Sequence, residues 1–484
     1  MEMTNGLIAR SFLWKLVERV GQQAVSFVIT VTLARLLLPE EYGLIALIMV
    51  FVNICSVIVD GGFATALVQK KGATDDDFSS VLIFSVGMSG LLYGALWLAA
   101  PLLARFYGME DIEPVARVLG LSIFGFSVSA VQRAFVAKRM LFRKLFLSSV
   151  GASIGSGIVG IQMAFKGYGV WALVAQNLTY HCLSCLILGV SIGWKPRLMF
   201  AYQSFKGLFD FGWKIFIASL VTVVFVEFRK LLIGKGYSSS ELAYYERGDQ
   251  LPSLVMNNLF VSIQAVMLPV FSEYQNDKEK VKSMMRRSTK LSCFVIYPLM
   301  AGLSATAEPL VRLLLTDKWI AAVPFIQILS IANFFKPITI SNWEAIKALG
   351  HSGITLKLEL LKKILDILIL MATFYYGVYA IAWGLVFHNF LCLFINLYPN
   401  KRLLNYGIGE QIRDAVPTLL IALAMGGVVW AVGLIGLPTT GCLALQILVG
   451  IVVYIGLSWV CKEESLYYLL AVLKKARGRH LNER

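Results

Sequence analysis

The sequence predicts an all-α polytopic membrane protein of about fourteen transmembrane helices, arranged as two parallel six-helix repeats with two extra helices after them. Three observations predict it. The chain is 58% hydrophobic and only 15% charged, with a mean hydropathy of +0.72, where a soluble domain carries about 25% charged residues. Its apolar residues come in charge-free blocks, such as 78–104, 145–165 and 415–461, the last broken only by the turn GLPTTG at 436–441. Roughly 20 apolar residues cross about 30 Å of hydrocarbon, so these blocks have the length of spans. Finally, the chain repeats itself: YGVWA at 168–172 returns as YGVYA at 376–380.

In chain order the spans fall near 11–33, 42–64, 78–103, 115–136, 146–165, 170–193, 208–231, 243–271, 289–307, 320–341, 358–376, 378–398, 415–435 and 441–461. Lysine and arginine concentrate in cytoplasmic loops, which fixes the orientation. With the N-terminus inside, most of the 44 basic residues fall on the cytoplasmic side. The loop after span 4 is read as holding Arg133, Lys138, Arg139, Arg143 and Lys144, and the loop after span 8 holds Lys278, Lys280, Lys282, Arg286, Arg287 and Lys290. An even span count then places both termini in the cytoplasm. The first apolar stretch contains Lys15, Glu18 and Arg19 and reads as a retained span rather than a cleaved signal.

The offset of the repeated pentapeptide recurs elsewhere. Residues 101–123 align without a gap to 309–331, with Pro101/Pro309, Leu102/Leu310, Ile112/Ile320, Val115/Val323, Leu121/Leu329, Ser122/Ser330 and Ile123/Ile331 identical. FLWK at 12–15 resembles FGWK at 211–214. Spans 1–6 thus correspond to spans 7–12, and because six is even both halves enter the membrane from the same side. The expected domains are an N-terminal lobe at 1–205, a second lobe at 206–400, and spans 13–14 with a basic tail at 401–484.

Polar residues inside spans are expensive and usually face a cavity or a partner. On span 1, Lys15, Glu18, Arg19, Gln22 and Ser26 recur at helical spacing and form one stripe. Span 2 carries Asn53, Ser56 and Asp60; span 7 carries Lys214, Thr222 and Arg229; span 8 carries Glu246, Gln250, Ser253, Asn257 and Gln264. Four such helices point to a shared hydrated cavity. Lys15, Glu18, Arg19, Gln22, Asn53, Asp60, Lys214, Glu246, Gln250 and Asn257 are therefore the candidate substrate-binding residues. Basic residues near span ends can instead snorkel to headgroups, and Lys336 is read that way, at the inner end of span 10. Asp366 on span 11 lies beside Lys362 and Lys363. It is either a structural ion-pair partner or the carboxylate of proton or sodium coupling.

The net charge of +15 reads as positive-inside topology and attraction to anionic lipid, not as nucleic-acid binding. Seven scattered cysteines give no disulfide framework, and CLSC at 182–185 sits mid-span without a second pair. No phosphate-cradling loop, nucleophile–base pair or metal cluster is present in the sequence. Neither an enzyme nor a bound cofactor is expected.

Residues 33–71, LARLLLPEEYGLIALIMVFVNICSVIVDGGFATALVQKK, closely resemble spans 1–2 of the polysaccharide transporter branch of the multidrug/oligosaccharidyl-lipid/polysaccharide exporter superfamily, nearest to its colanic acid and teichuronic acid exporters. MLPVFSEYQND at 267–277 extends the likeness. The resemblance implies a V-shaped pair of six-helix lobes, with a central cavity lined by helices 1, 2, 7 and 8, in the bacterial cytoplasmic membrane. The activity it implies is the flipping of undecaprenyl-pyrophosphate-linked oligosaccharides for cell-surface polysaccharide. A polysaccharide polymerase and chain-length machinery are the implied protein partners. The lipid II flippases of the superfamily use several cavity arginines, and here only Arg19, with Lys15 and Lys214, sits comparably. A multidrug/cation antiporter of the same superfamily is the alternative reading.

Overall fold

A computed structural model describes residues 2–471, and within them all side chains except those of residues 2–13, 15, 16, 204, 261, 262, 265, 266, 268 and 352. The described residues are helical almost throughout. The first eight helices are α1 (Glu2–Leu36), α2 (Pro39–Asp60), α3 (Phe63–Gln69), α4 (Asp75–Tyr107), α5 (Ile112–Leu119), α6 (Ser122–Lys138), α7 (Phe142–Phe165) and α8 (Val170–Ile192). The next four are α9 (Tyr202–Gly236), α10 (Ser239–Glu273), α11 (Lys278–Ala305) and α12 (Ala307–Leu314). A 3-10 turn at Asp317–Ala322 precedes α13 (Val323–Asn333), α14 (Lys336–Ala348), α15 (Ser352–Phe374), α16 (Val378–Leu403), α17 (Ile408–Gly433) and α18 (Thr439–Val460).

Local chemistry explains the boundaries. Pro39 opens α2, where its missing N–H is no loss, and the Glu41 carboxylate caps the entry by accepting from the Leu38 N–H at 2.7 Å. Gly61 and Gly62 both adopt positive φ (52° and 74°), which ends α2 two residues before α3 begins. Thr74 and Asp77 form a reciprocal cap at the start of α4, with the Thr74 N–H donating to Asp77 at 2.9 Å. The α11–α12 pair bends by 68°, and Pro337 lies in the first turn of α14, following a break after α13.

Nine helices or broken helices among the described residues are long and apolar enough to span a membrane, or ten if α11 and α12 form one bent span. Helices α1, α9, α10 and α15 fall outside that group. They are 35, 35, 35 and 23 residues long, and at about 1.5 Å per residue even the shortest covers the hydrocarbon thickness. In α15 the charges of Lys357, Glu359, Lys362, Lys363 and Asp366 set it apart from those spans.

The chain divides into two compact units, Met1–Ala243 and Tyr244–Arg484. Helix α9, the first helix of the second sequence repeat, packs in the first unit against α2, α3 and α4. The boundary drawn by contacts thus differs from the repeat boundary at 205/206. In the first unit, α7 packs on α1 and α8 through a face of small residues: Ser148, Ser149, Ala152, Ser153, Ser156, Gly157, Gly160 and Ala164 are all buried. Such faces let helix backbones approach where no hydrophobic effect drives them together. A Cβ on Gly157 would strike the Ile29 side chain, and one on Gly160 would lie 2.9 Å from the Gln176 Cβ. Gly43 of α2 meets the carbonyl of Ser239 at the start of α10, Gly234 of α9 meets Leu47 of α2, and Gly62 between α2 and α3 meets the Gly212 carbonyl of α9 with equally little room.

The second unit is built differently. Its core gathers Met256, Phe294, Tyr297, Met300, Phe334, Ile338, Leu397, Ala422, Met425 and Tyr454, so that α17 and α18 share one core with α11 and α14. A buried polar chain crosses it. Asn400 donates to Asn342 Oδ1 at 2.6 Å, Asn342 donates to Gln411 at 2.7 Å, and Gln411 donates to the Tyr406 carbonyl at 3.1 Å. The Tyr406 hydroxyl then donates to Asp414 at 2.7 Å, which also takes Arg286 at 2.6 Å.

Candidate substrate cavity

In the first unit a cavity of about 600 Å³ opens among α2, α3, α6 and α9. Val57, Ala64, Val68, Phe126, Ala130, Ala134 and Ala137 give it apolar walls, and Ser56, Asp60, Thr65, Arg133 and Ser219 give it polar groups. Asp60 is the last residue of α2 and half-buried. It lies beside the start of α3, where a helix N-terminus favours negative charge. Arg133 is exposed to the cavity on a helix whose neighbours Val131, Gln132, Ala134, Phe135 and Val136 are buried. Its Nε donates to the Ser129 carbonyl at 3.2 Å. The guanidinium charge acts on Asp60 and on Tyr180, yet among the described residues no carboxylate pairs directly with Arg133.

Reading Arg133 as a loop cation is corrected here. Helix α6 continues to Lys138, which carries Arg133 more than a turn inside its end. The signal was present in SAVQRAFVAK at 129–138, where an arginine interrupts an otherwise apolar helical run. Lys336 is corrected too. It opens α14 in the middle of the broken span Asp317–Ala348 rather than at its inner end. There it lines a second cavity of about 230 Å³ with Glu359, Lys362, Lys363, Asp366, His388 and Asn389.

The remaining candidates are not among the residues that line this cavity. The Lys15 side chain lies outside the described residues. Glu18 accepts from Ser149 on α7 at 3.3 Å, and Gln22 donates to Tyr180 on α8 at 2.8 Å, so these two meet neighbouring helices of their own unit. Arg19 is half-buried on the same helix. Asn53 donates to the buried Glu227 on α9 at 3.0 Å, and Lys230 pairs with that carboxylate at 3.2 Å. Lys214 is exposed on α9, five residues before the cavity-lining Ser219. In the second unit Glu246 is half-buried, Gln250 accepts from Arg247 at 2.6 Å, and Asn257 is exposed. Asp366 lines the smaller cavity. Of the ten substrate-binding candidates, the larger cavity brings in Asp60, and its cation is one that sequence reasoning placed elsewhere.

One carboxylate, one guanidinium with no carboxylate paired to it among the described residues, and three hydroxyls line this cavity among apolar walls. No cluster of metal-ligating side chains occurs among the described residues.

Residues 32–324 match the family described as polysaccharide biosynthesis proteins. The chain is similar to the succinoglycan biosynthesis transport protein of Rhizobium meliloti, with 24% identity over 327 residues, 67% of this chain and 66% of that one. It is likewise similar to the teichuronic acid biosynthesis protein of Bacillus subtilis, with 21% identity over 381 residues, 78% of this chain and 79% of that one. Among solved structures, the lipid II flippase MurJ in an inward closed conformation superimposes with a TM-score of 0.74 at 17% identity, covering 94% of this chain and 99% of that one. At that identity the likeness bears on fold alone.

Proposed function

The chain belongs to the family of polysaccharide biosynthesis proteins, and from that premise we propose that it is a flippase moving undecaprenyl-pyrophosphate-linked oligosaccharides across the bacterial cytoplasmic membrane. The observation that carries this reading is Arg133, a cation on a membrane helix that faces a cavity with three hydroxyl residues and, among the described residues, has no carboxylate paired to it. An ion or unpaired polar group does not enter hydrocarbon unaided, because it loses several kcal/mol or more of hydration. Arg133 offers a planar fork of N–H donors matched to phosphate oxygens. Ser56, Thr65 and Ser219 supply hydroxyl partners for sugar or phosphate oxygens, and the polyprenyl tail stays in lipid. Asp60, on the wall of the same cavity, offsets the Arg133 charge when the cavity is empty. Arg19, Lys15 and Lys214 add positive charge toward the cytoplasmic ends of α1 and α9, which draws an anionic headgroup in and turns cationic drugs away.

The finer architecture belongs to the same proposal. The ten spans of sufficient apolarity, together with α1, α9, α10 and α15, make fourteen, with both termini cytoplasmic. Twelve of them form two parallel six-helix repeats in a V-shaped arrangement that rocks to alternate access, as in transporters built from parallel repeats. Asp366 is the candidate carboxylate for proton or sodium coupling, and a polymerase and chain-length machinery are the candidate partners.

The test is a deletion strain complemented with wild type or Arg133→Ala. The deletion should accumulate lipid-linked oligosaccharide on the inner leaflet and leave sensitivity to cationic dyes unchanged, and Arg133→Ala at normal protein level should fail to reverse the accumulation. Sensitised cells with normal lipid-linked sugar turnover would move the assignment to a drug antiporter. Reporter fusions check the topology: Lys144 should report cytoplasmic and Met109 external.

A further inference from the structure

A third cavity lies in the second unit, apart from both cavities described above. It measures about 360 Å³ and is lined by Ser283, Arg286, Arg287, Lys290 and Leu291 of α11, with Glu464, Ser465 and Tyr468 just beyond α18. Residues 464–471 are helical, so the cavity sits between the start of α11 and a short helix that follows the last span. Its charges are unevenly matched. Arg286 is held by the buried Asp414 at 2.6 Å. Lys290 lies 2.8 Å from Glu464 and 3.6 Å from Asp414. Arg287 has neither: its guanidinium stacks on the Tyr468 ring at 3.6 Å, and among the described residues no carboxylate pairs with it. A stacked guanidinium keeps its in-plane N–H donors available, which is the geometry that takes a phosphate edge-on. The exposed hydroxyl of Ser283 faces the same space.

The level of the cavity says which phosphate. Helix α18 ends at Val460 with Trp459 and Val460 exposed, and Tyr467 and Leu470 of the following helix are exposed as well. Aromatic and apolar side chains at the end of a span mark the membrane–water interface. The segment continues in sequence with Lys474, Lys475, Arg477 and Arg479, a basic run of the kind that anionic leaflets attract. A cation surplus at headgroup depth, beside interfacial aromatics, faces lipid phosphate.

We propose that this cavity is a binding site for the headgroup of an anionic phospholipid, with Arg287 and Ser283 holding the phosphate and Tyr468 fixing the guanidinium. The occupied site clamps the post-α18 helix to α11 and thereby to the Asp414–Tyr406 network behind it. The site is independent of the substrate cavity beside Asp60. The proposed orientation bears only on which leaflet supplies the lipid.

The full-length protein is placed in nanodiscs of phosphatidylcholine alone or with about one-third phosphatidylglycerol, and thermal unfolding and co-purifying lipid are measured. The wild type should unfold about 2–4 °C higher with phosphatidylglycerol and retain it through detergent extraction in native mass spectrometry. Arg287→Gln and Tyr468→Leu should each lose at least half of that shift and the retained lipid, while unfolding like wild type in phosphatidylcholine alone. Lys280→Gln, on the same helix but outside the cavity, should keep both. If Arg287→Gln and Lys280→Gln lose the shift equally, the effect is general surface charge and the site is refuted. If inorganic pyrophosphate reproduces the wild-type shift in detergent without lipid, the lipid assignment is refuted in favour of a soluble anion.

Discussion

The two units bury polar groups in opposite ways. In the first, helices close on one another through glycine and serine faces, and polar side chains are left lining a cavity of about 600 Å³ that holds one acid and one base. In the second, Asn342, Asn400, Gln411, Tyr406 and Asp414 are joined side chain to side chain or through the Tyr406 carbonyl in one hydrogen-bonded chain, and the interhelical cavity beside Asp366 holds about 230 Å³. That smaller cavity carries more charge: Lys336, Lys362, Lys363, Glu359 and Asp366. Much of it is already engaged, since Lys362 bridges to Glu359 at 2.5 Å and lies over the Trp343 ring at 4.4 Å. The contrast teaches that counting intramembrane charges does not locate a binding site. What counts is a charge with room in front of it and, among the described residues, no carboxylate paired to it, and Arg133 meets both conditions.

The strongest way to break that comparison is to remove each cation in turn. Arg133→Ala should lower export of lipid-linked oligosaccharide by about tenfold or more, since a hydrogen bond to a charged group contributes about 1.5–3 kcal/mol. Lys336→Ala should lower it by less than about threefold, and Arg133→Lys should fall between, keeping charge while losing the fork. Equal losses from Arg133→Ala and Lys336→Ala, at matched membrane levels, would remove the distinction between the two cavities.

Next in size is the polar chain of the second unit. Tyr406 and Asp414 lie at the α16–α17 junction, and burial together with the Asp414 hydrogen bond pushes the Tyr406 hydroxyl well above its ordinary range, so it stays a donor through the alkaline pH range. Tyr406→Phe leaves a buried carboxylate with one donor fewer. It should destabilise the protein by about 1–3 kcal/mol, read as a lowered unfolding midpoint, with export per folded molecule near normal. A variant that unfolds like wild type would show that the network is not what holds the second unit together. Asp366→Asn separates the smaller cavity's two roles. If Asp366 couples transport to an ion gradient, export should fall several-fold and lose its dependence on that gradient while the unfolding midpoint stays within about 1 kcal/mol of wild type. If it is a structural ion-pair partner, the midpoint should fall and gradient dependence persist.

Much of the fold was legible because charge-free runs such as 78–104 and 145–165 admit only one environment, and backbone polar groups in lipid admit only helix. The breaks were less legible. Gly61–Gly62 sits inside a run that reads as one continuous span, and only its positive φ angles divide α2 from α3. Of the polar residues that the sequence singled out, the cavity beside Arg133 is lined by Ser56 and Asp60. Polar spacing on α1 and α2 marks a face, yet the same spacing arises whether that face meets water or another helix. Glu18 and Gln22 met Ser149 and Tyr180, partners more than a hundred residues away that no local pattern reveals. Arg133 is missed for another reason: the sequence reading sets it in the loop after span 4, although α6 continues to Lys138, and sets Lys336 at the end of a span, although it opens α14.

The smallest effect sharpens the same point at one residue. Gln22 lies on the polar stripe of α1, half-buried, with its amide donating to the Tyr180 hydroxyl at 2.8 Å. Replacing it with leucine keeps the volume roughly constant and removes a single interhelical hydrogen bond, a change that averages about 0.6 kcal/mol in membrane proteins. If Gln22 serves packing between α1 and α8, Gln22→Leu should lower the unfolding midpoint slightly and leave export within about twofold of wild type. Tyr180→Phe should give nearly the same shift, and the double variant no more than either alone, because both remove one shared bond. A large export defect in Gln22→Leu with an unchanged midpoint would instead return the α1 stripe to the substrate path and extend the cavity beyond Asp60 and Arg133.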